Sequence, residues 1–392
     1  MFARMTLAAL GLGLAMSTSV LAQETVKIGV IAPFSGPFAD AGAQLIAGVN
    51  LYIAKNGGEV AGKRIEIIQK DSGGAAPDVA KRLAQELVVR DQVDILAGFA
   101  LTPEALGAAD VATEAKKLMV VMNAATSIVT EKSPYIVRTS VTIPQVNYVF
   151  GKWAFEKGGA KAAYTLVADY GPGLDAEKSF AKGFTEAGGQ IVGADKTPVQ
   201  NPDFSAFVQR VKDANPESVY IFIPGGAQPA AIGKALAERG LTPPATKLFG
   251  QGELTHPEAL ESMGDTANGI ITTFHYTLER DDPINNEFVK AYQDANGGRS
   301  PDLFSVGAYD GMHLIYETLK KANGDTTGDG LVEAAKGMAW DSPRGPMSID
   351  PETRDVVQTV YIREVKKVGD KLQNVIIDQI PDVKDPNHGA AK

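Results

Sequence analysis

Short apolar runs rich in β-branched residues alternate with longer amphipathic runs in the first part of this chain. Residues 26–31 predict a strand that ends at turn residues, and residues 39–55 predict a helix that stops at an Asn-Gly-Gly turn. Further strands are predicted at residues 63–70, 93–98, 118–123 and 136–139, with helices at 77–90 and 103–116. Strands that alternate with helices of about 10–15 residues predict βαβ units and a parallel sheet.

The same alternation restarts after Pro144 and predicts a second open α/β sheet. Its predicted strands are 162–168, 190–193, 218–224, 247–249 and 269–276, and its predicted helices are 145–157, 176–187, 204–213 and 229–239. Helices at 285–296 and 304–322 are expected to return to the first sheet, and residues 356–367 and 371–377 predict an antiparallel hairpin. A chain that leaves a domain and returns to it crosses between two lobes several times.

The fold class predicted from this pattern is α/β, with two Rossmann-like open parallel-sheet lobes joined by hinge strands. We assign residues 23–141 and 275–346 to the first lobe, 142–274 and 347–380 to the second, and 381–392 to a flexible tail. Ligands of open α/β sheets bind beyond the carboxyl ends of the strands, so a ligand is expected in the cleft between the lobes. Closure about the hinge strands is the expected motion.

The first 22 residues have the layout of a secretory signal peptide. A positive start that includes Arg4 precedes an apolar stretch at residues 7–16, and Val20-Leu21-Ala22 forms a small-residue cleavage signal before Gln23. The apolar stretch is shorter than the roughly 20 residues that a membrane-spanning helix needs. We therefore expect a mature protein that begins near Gln23 and works in the periplasm; a retained anchor helix is the alternative.

Composition describes an ordinary globular protein and narrows its partners. The chain has 392 residues and a formal net charge of −9, and its lysines and arginines are dispersed. Nucleic acid is therefore not expected as a partner. Cysteine is absent, which excludes thiol catalysis and cysteine metal sites and leaves core packing to hold the exported chain together.

The sequence contains no complete motif that would indicate an enzyme or a metal site. The four histidines lack HExxH or another close ligand spacing, and no P-loop, GxGxxG or GxSxG sequence is found. Residues 325–330 imitate the start of a calcium loop, but Lys336 occupies the twelfth position, where glutamate is required. The sequence therefore predicts a protein without enzymatic activity, cofactor or metal ion.

Residues 27–37, with the sequence KIGVIAPFSGP, resemble the opening strand and turn of periplasmic substrate-binding proteins of the leucine/isoleucine/valine-binding type. Further landmarks follow in the family's order at residues 95–102, 123–126, 169–171 and 309–311, so the resemblance covers about residues 26–380. It implies the type I periplasmic-binding fold and the solute receptor of an ATP-driven (ABC) importer. Such a receptor, expected here to be a monomer, binds a small-molecule solute, closes and delivers it to an inner-membrane permease.

Two turns of the first lobe are candidates for binding a carboxylate. Thr102-Pro103 predicts a helix start, where free amides and a hydroxyl either form a carboxylate site or serve only as the helix cap. Small residues at Ala124 and Ala125 let the backbone approach a ligand, and Thr126 offers an amide and a hydroxyl; an ordinary strand-to-helix turn is the alternative. The resemblance implies that both turns bind the ligand's carboxylate. The first-lobe candidates are Phe34, Ala100, Thr102, Ala124, Ala125 and Thr126.

Two residues of the second lobe are expected to face those turns across the cleft. Tyr170 follows a predicted strand, and the resemblance implies that it is an aromatic ligand contact; packing between the lobes is the alternative. Glu253 lies in the turn of residues 250–253, where amino-acid-binding members of the family have an acidic residue that pairs with the ligand's ammonium group. A solvated loop carboxylate is the alternative for Glu253.

The sequence departs from the leucine-type pattern at two places. Ala41 stands where such members have a tyrosine, and residues 224–227 lack the tyrosine that some members have. Losing bulky side chains enlarges the pocket, which suggests a ligand bigger or flatter than leucine. An amino acid, branched-chain or aromatic, is still the first choice of solute, and an aromatic carboxylate without an amine is the runner-up. A ligand sensor that signals without a permease and an exported α/β hydrolase are the remaining alternatives.

Overall fold

The computed structural model describes residues 23–200, 202–225 and 227–388, so the predicted signal peptide lies outside the described residues. The strands are β1 (Thr25–Ala32), β2 (Glu59–Val60), β3 (Lys63–Asp71), β4 (Ile95–Gly98), β5 (Met119–Val121), β6 (Ile136–Arg138), β7 (Ala162–Ala168), β8 (Gln190–Thr197), β9 (Ser218–Phe222), β10 (Lys247–Gln251), β11 (Ile271–Phe274), β12 (Ala339–Ser342), β13 (Gly345–Ile349), β14 (Val356–Val368) and β15 (Lys371–Val383). The α-helices are α1 (Ala39–Asn56), α2 (Pro77–Val89), α3 (Thr102–Ala115), α4 (Ile143–Glu156), α5 (Gly171–Glu186), α6 (Phe204–Ala214), α7 (Gln228–Glu238), α8 (Pro257–Met263), α9 (Pro283–Ala295), α10 (Leu303–Lys321) and α11 (Gly328–Ala335). Short 3-10 helices lie at Gly36–Phe38, Ser127–Lys132, Gly252–Thr255 and Gly264–Ala267.

The first sheet has the strand order β2-β3-β1-β4-β5-β6. Its neighbours are parallel except for β2, which is antiparallel to β3. One apolar cluster packs α1, α10 and α11 on one face, and another packs α2 and α3 on the other. The central strands β4 and β5 are apolar because both faces are covered, whereas β3 is partly exposed and carries charged residues. As predicted, α10 packs on this sheet, and α9 packs on α1.

The second sheet has the strand order β12-β13-β14-β11-β10-β9-β7-β8, and β15 pairs with β14. Strands β7 to β11 are parallel, whereas β12 to β15 add an antiparallel section beside β11. Helices α6, α7 and α8 pack on one face, and α4 and α5 pack on the other. The fold is therefore two α/β lobes, as predicted, and β14 and β15 form the predicted antiparallel hairpin.

The sheet pairing differs from the predicted lobe boundaries at two places. Strands β12 and β13 pair within the second sheet, so the boundary drawn at residue 346 falls inside β13. The last strand continues to Val383, whose carbonyl accepts a hydrogen bond from Gln145 Nε2 at 2.7 Å. The tail predicted from residue 381 therefore begins with three residues of strand β15. Pro381 can be part of this strand because β15 is an outer strand, where proline is tolerated.

Three connections, at about residues 139–142, 275–282 and 336–338, carry the chain between the sheets. Side chains define the helix starts beyond two of them. Thr142 accepts a hydrogen bond from Gln145 N at 3.1 Å at the start of α4, and Asp282 accepts one from Ile284 N at 3.0 Å at the start of α9. Such caps satisfy free amides, so these helices begin at sequence-encoded positions. Within the part of the chain that the structure describes, no helix combines the length and apolar character of a membrane span.

Candidate ligand-binding site

The carboxyl ends of the parallel strands in the first sheet bring the two predicted carboxylate turns together. Gly98 of β4 is level with Val121 of β5, and the two turns follow directly after these residues. Asn123 Nδ2 donates a hydrogen bond to Ala100 O at 2.7 Å, which joins one turn to the other. Ala100 and Ala124 are buried. We call this end of the first sheet the first edge.

Thr102 and Thr126 meet at the first edge. Their Oγ1 atoms are 2.9 Å apart, in a hydrogen bond in which either hydroxyl can donate. Thr102 is the first residue of α3, Thr126 immediately precedes Ser127–Lys132, and both side chains are half-buried. One hydroxyl hydrogen stays available after this bond, next to the partial positive charge of a helix start. That combination suits a carboxylate as the acceptor.

The other two predicted residues of this lobe, Phe34 and Ala125, follow strands β1 and β5 of the same sheet. Ala125 O accepts a hydrogen bond from Ile143 N at 2.9 Å, which ties the turn to the start of α4. Phe34 N donates to Asp71 Oδ1 at 2.8 Å, and the half-buried Phe34 ring packs on the same apolar cluster as Ala41. Phe34 therefore lies at the first edge but has its polar partner on β3.

A buried arginine that the sequence analysis missed holds the second turn in place. Arg138 Nη1 donates to Ala124 O at 2.9 Å and to Thr126 O at 2.8 Å, and Nη2 donates to Ser127 O at 3.2 Å. The Arg138 side chain is fully buried. A charged residue at the end of the apolar run Ile136-Val137 was the available signal, because a buried charge needs dedicated partners.

Glu104 caps the start of α3, a role that the sequence also allowed for Thr102. Its Oε2 accepts a hydrogen bond from Leu101 N at 2.8 Å, and its Oε1 accepts one from the Ser72 hydroxyl. Burial raises the pKa of Glu104 to about 7, against the opposing effect of these hydrogen bonds. Because Glu104 caps the start of α3, the Thr102 hydroxyl is left for Thr126 and for a ligand.

The carboxyl ends of β7, β9, β10 and β11 form the second edge, on the second sheet. Ile221 of β9 is level with Leu166 of β7 and with Gly250 of β10, and Gly250 is level with Thr272 of β11. Residues three or four positions beyond that level are Tyr170, Gly225, Glu253 and His275. Strand register therefore brings Tyr170 and Glu253, which lie far apart in the sequence, to the same edge.

Glu253 and Tyr170 interact electrostatically at the second edge. Glu253 Oε2 accepts a hydrogen bond from Gly225 N at 2.7 Å. Burial raises the pKa of Glu253, although the Gly225 amide and the charge of His256 act in the opposite direction. Burial, and after it the negative charge of Glu253, raises the pKa of Tyr170. The edge thus presents a half-buried carboxylate beside a phenol ring, whose centroid is 6.3 Å from that of Phe222.

A second buried arginine, also missed by the sequence analysis, holds the turn that contains Glu253. Arg363 Nη2 donates to Gly252 O at 3.3 Å and to Thr272 Oγ1 at 3.2 Å, and Nη1 donates to Tyr276 O at 3.2 Å. Burial lowers the pKa of Arg363 to about 10. Each sheet edge therefore has one buried guanidinium beneath a predicted ligand turn.

The family-model comparison identifies the fold family of this chain. Residues 25–370 match the model described as "Periplasmic binding protein". The chain belongs to this family. A Leu/Ile/Val-binding protein homolog 6 from Brucella melitensis is 44% identical over 356 residues, which are 91% of this chain and 91% of the relative.

Solved structures of ABC-transporter solute-binding proteins resemble this periplasmic binding protein. One from Rhodopseudomonas palustris BisB5, in complex with 3,4-dihydroxybenzoic acid, is 49% identical with a TM-score of 0.88, covering 93% of this chain and 99% of that one. One from Rhodopseudomonas palustris HaA2, in complex with p-hydroxybenzoic acid, is 40% identical with the same TM-score and coverage.

This periplasmic binding protein is therefore an ABC-type solute-binding protein related to the Leu/Ile/Val-binding branch. That class implies a small-molecule ligand, a membrane permease as partner and a periplasmic location. Among the residues that the structure describes, no group of three or more His, Asp or Glu side chains is arranged to hold a metal ion.

Proposed function

We propose that this protein binds a small carboxylate-bearing solute between the two edges, closes around it and delivers it to the permease of an ABC importer. The Thr102–Thr126 pair carries this proposal, because two hydroxyls from separate turns meet where open α/β sheets bind ligands. We assign the solute contacts to Phe34, Ala100, Thr102, Ala124, Ala125, Thr126 and Tyr170, and we add Glu253 as a contact for a solute that carries an ammonium group.

We further propose that the chain acts as a periplasmic monomer that begins near Gln23, after removal of residues 1–22. The basic start, apolar stretch and small-residue cleavage signal support export. The two sheets with their helices are the bodies that close, and the three connections between them are the hinge. In this role the protein carries its solute and does not transform it.

We propose a hydroxylated aromatic acid as the solute. The solved structures of the Rhodopseudomonas proteins at 49% and 40% identity are complexes with 3,4-dihydroxybenzoic acid and p-hydroxybenzoic acid. Both molecules have the carboxylate that the Thr102–Thr126 pair is suited to bind. The sequence has Ala41 where leucine-type members have a tyrosine, and residues 224–227 lack the tyrosine that some members have, which favours a flat ring over leucine.

A branched-chain amino acid is the second candidate. The Brucella relative at 44% identity is named a Leu/Ile/Val-binding protein homolog. Glu253 favours this class, because a carboxylate whose pKa is raised by burial is stabilised by a cation, and a ligand ammonium group would supply one.

Isothermal titration calorimetry of the mature protein tests the proposal. We expect 4-hydroxybenzoate and 3,4-dihydroxybenzoate to bind, and leucine and phenylalanine to give no heat of binding. A neutral sugar is the control for nonspecific heats. Binding of leucine without binding of either aromatic acid would establish the second candidate, and the absence of binding by all four carboxylates would overturn the proposed carboxylate site.

A further inference from the structure

One histidine near the second edge has no hydrogen-bond partner for either ring nitrogen. His275 is fully buried, and neither Nδ1 nor Nε2 finds a partner among the described residues. Buried polar atoms in folded proteins are almost always hydrogen-bonded to protein, to ordered water or to a ligand. A buried imidazole that has two unused nitrogens therefore requires an explanation.

Its position places His275 with the proposed solute contacts. His275 follows β11 directly and lies three residues beyond Thr272, whose level in the sheet is that of Gly250. Glu253 lies three residues beyond Gly250 on the adjacent parallel strand. His275 and Glu253 therefore both follow the carboxyl ends of adjacent parallel strands, and His275 also begins the second connection between the sheets.

Burial and the surrounding charges favour the neutral form of the His275 ring. Burial lowers the pKa of His275 well below its ordinary value, and the positive charges of Arg344 and Arg363 lower it further. Arg344 is itself paired with Asp310, so it has no need of the histidine as a partner. A neutral imidazole has one N–H donor and one nitrogen acceptor.

The first connection between the sheets contributes another unpaired hydroxyl near the same arginine. Arg344 Nη1 donates to Ser140 O at 3.1 Å. Ser140 Oγ is buried and has no hydrogen-bond partner in the described part of the chain. Ser140 lies two residues beyond Arg138, which is level with Val121 at the first edge. Unpaired polar groups therefore occur on both connections that adjoin the proposed solute site.

We propose that His275 is a solute-binding residue that hydrogen-bonds a ring hydroxyl of the aromatic acid. This inference rests on the proposed function and adds the residue that distinguishes hydroxylated from plain benzoic acids. A ring hydroxyl can donate to the acceptor nitrogen of the imidazole or accept from its N–H, so it can pair with whichever nitrogen faces the solute, whereas an ammonium group can only donate. Removing a partner from a buried polar group is costly, which makes such a contact strongly selective.

The test compares ligands within each protein variant. Calorimetry measures the dissociation constants of benzoate, 3-hydroxybenzoate and 4-hydroxybenzoate for the wild type, His275→Phe and His275→Gln. His313→Phe is the matched control, because His313 is half-buried on α10 and bonds Tyr52 OH at 3.2 Å. Circular dichroism and thermal unfolding establish that each variant is folded.

We expect the wild type and His313→Phe to bind at least one hydroxybenzoate about tenfold or more tighter than benzoate. In His275→Phe this ratio should fall to near one while benzoate affinity stays within about threefold, and His275→Gln should lower the ratio at least about threefold. An unchanged ratio in a folded His275 variant, or an equal loss for all three acids, overturns the role of His275 alone. A wild type that binds none of the acids overturns the proposed aromatic solute and this inference with it.

Discussion

Arg138 Nε lies 2.7 Å from Asp355 Oδ1, and both side chains are almost completely buried although 217 positions separate them. Arg138 ends β6 of the first sheet, whereas Asp355 immediately precedes β14 of the second. Burial acts to raise the pKa of Asp355, but the charge and hydrogen bonds of Arg138, His388 and Thr130 outweigh it and lower this pKa. The ion pair therefore links the turn with Thr126 to the strand system of the other sheet.

Arg138→Met should lower the free energy of unfolding by about 3–5 kcal/mol, since it leaves the buried Asp355 carboxylate short of its cation. Urea unfolding measures this loss. The double variant Arg138→Met/Asp355→Leu should lose less than the sum of the single variants, because it removes both charges. Lys290→Met, which breaks an exposed pair with Asp294, is the control and should cost less than about 0.5 kcal/mol. Additive losses would contradict the coupling.

Thr102→Ala and Thr126→Val should each weaken solute binding by roughly 1–3 kcal/mol, the cost of leaving a charged group short of a hydrogen bond. The double variant should lose less than the sum, because the two hydroxyls share one hydrogen bond. Calorimetry gives the affinities, and thermal unfolding should show that the fold survives. Thr185→Ala, at an exposed hydroxyl on α5, should bind as the wild type does. Unaltered affinity in both site variants would remove the carboxylate from these turns.

Glu253→Gln separates the two candidate solutes. With an aromatic acid, we expect the affinity to change by less than about 0.5 kcal/mol, because the Gly225 amide already bonds this side chain and no ligand cation depends on it. With an amino acid, the same substitution should cost several kcal/mol, since the ammonium group would lose its counter-ion in a closed cleft. Calorimetry with 4-hydroxybenzoate and leucine on both proteins measures the difference. A large loss of 4-hydroxybenzoate affinity would show that Glu253 contacts the ring hydroxyl.

Glu104 should make the free energy of unfolding depend on pH. Its pKa is raised from 4.5 to about 7 in the folded protein, so the folded state retains a proton that the unfolded chain releases in this window. Stability should therefore fall by roughly 1–3 kcal/mol as the pH rises from about 4.5 to 7, and then level off. Glu104→Gln should remove this contribution, leaving that of Asp302, whose pKa burial also raises to about 7. Urea unfolding at several pH values checks the slope, and identical slopes in both proteins would refute it.

Export should remove the first 22 residues. Mass spectrometry of the protein from a periplasmic extract should give an N-terminus at or within a few residues of Gln23. Replacing the Val20-Leu21-Ala22 signal with bulky residues should retain the full-length chain in the membrane fraction. A full-length chain in the periplasm, or an intact N-terminus in the membrane fraction without any substitution, would contradict the cleaved leader.

The sequence by itself determined the element order, the α/β class and the resemblance to solute receptors. Local patterns were sufficient here, because a strand buried on both faces, such as β5, must be apolar, and caps such as Thr142 act over three residues. The same patterns located Thr102 and Thr126 at strand ends. They did not predict β12 and β13, which are only four and five residues long, and β13 contains an exposed proline, Pro346.

Only the tertiary structure decided which residues support the site. Arg138 donates to a turn on the neighbouring strand of its sheet, and Arg363 donates to a turn 111 positions away. Glu104 replaces Thr102 as the helix cap, and its side chain also accepts a hydrogen bond from Ser72. Likewise, the pairing of β10 with β11 decides that Glu253 and His275 follow adjacent strand ends. The physical reason is that hydrophobic periodicity is a property of neighbouring residues, whereas a buried charge takes its partners wherever packing places them.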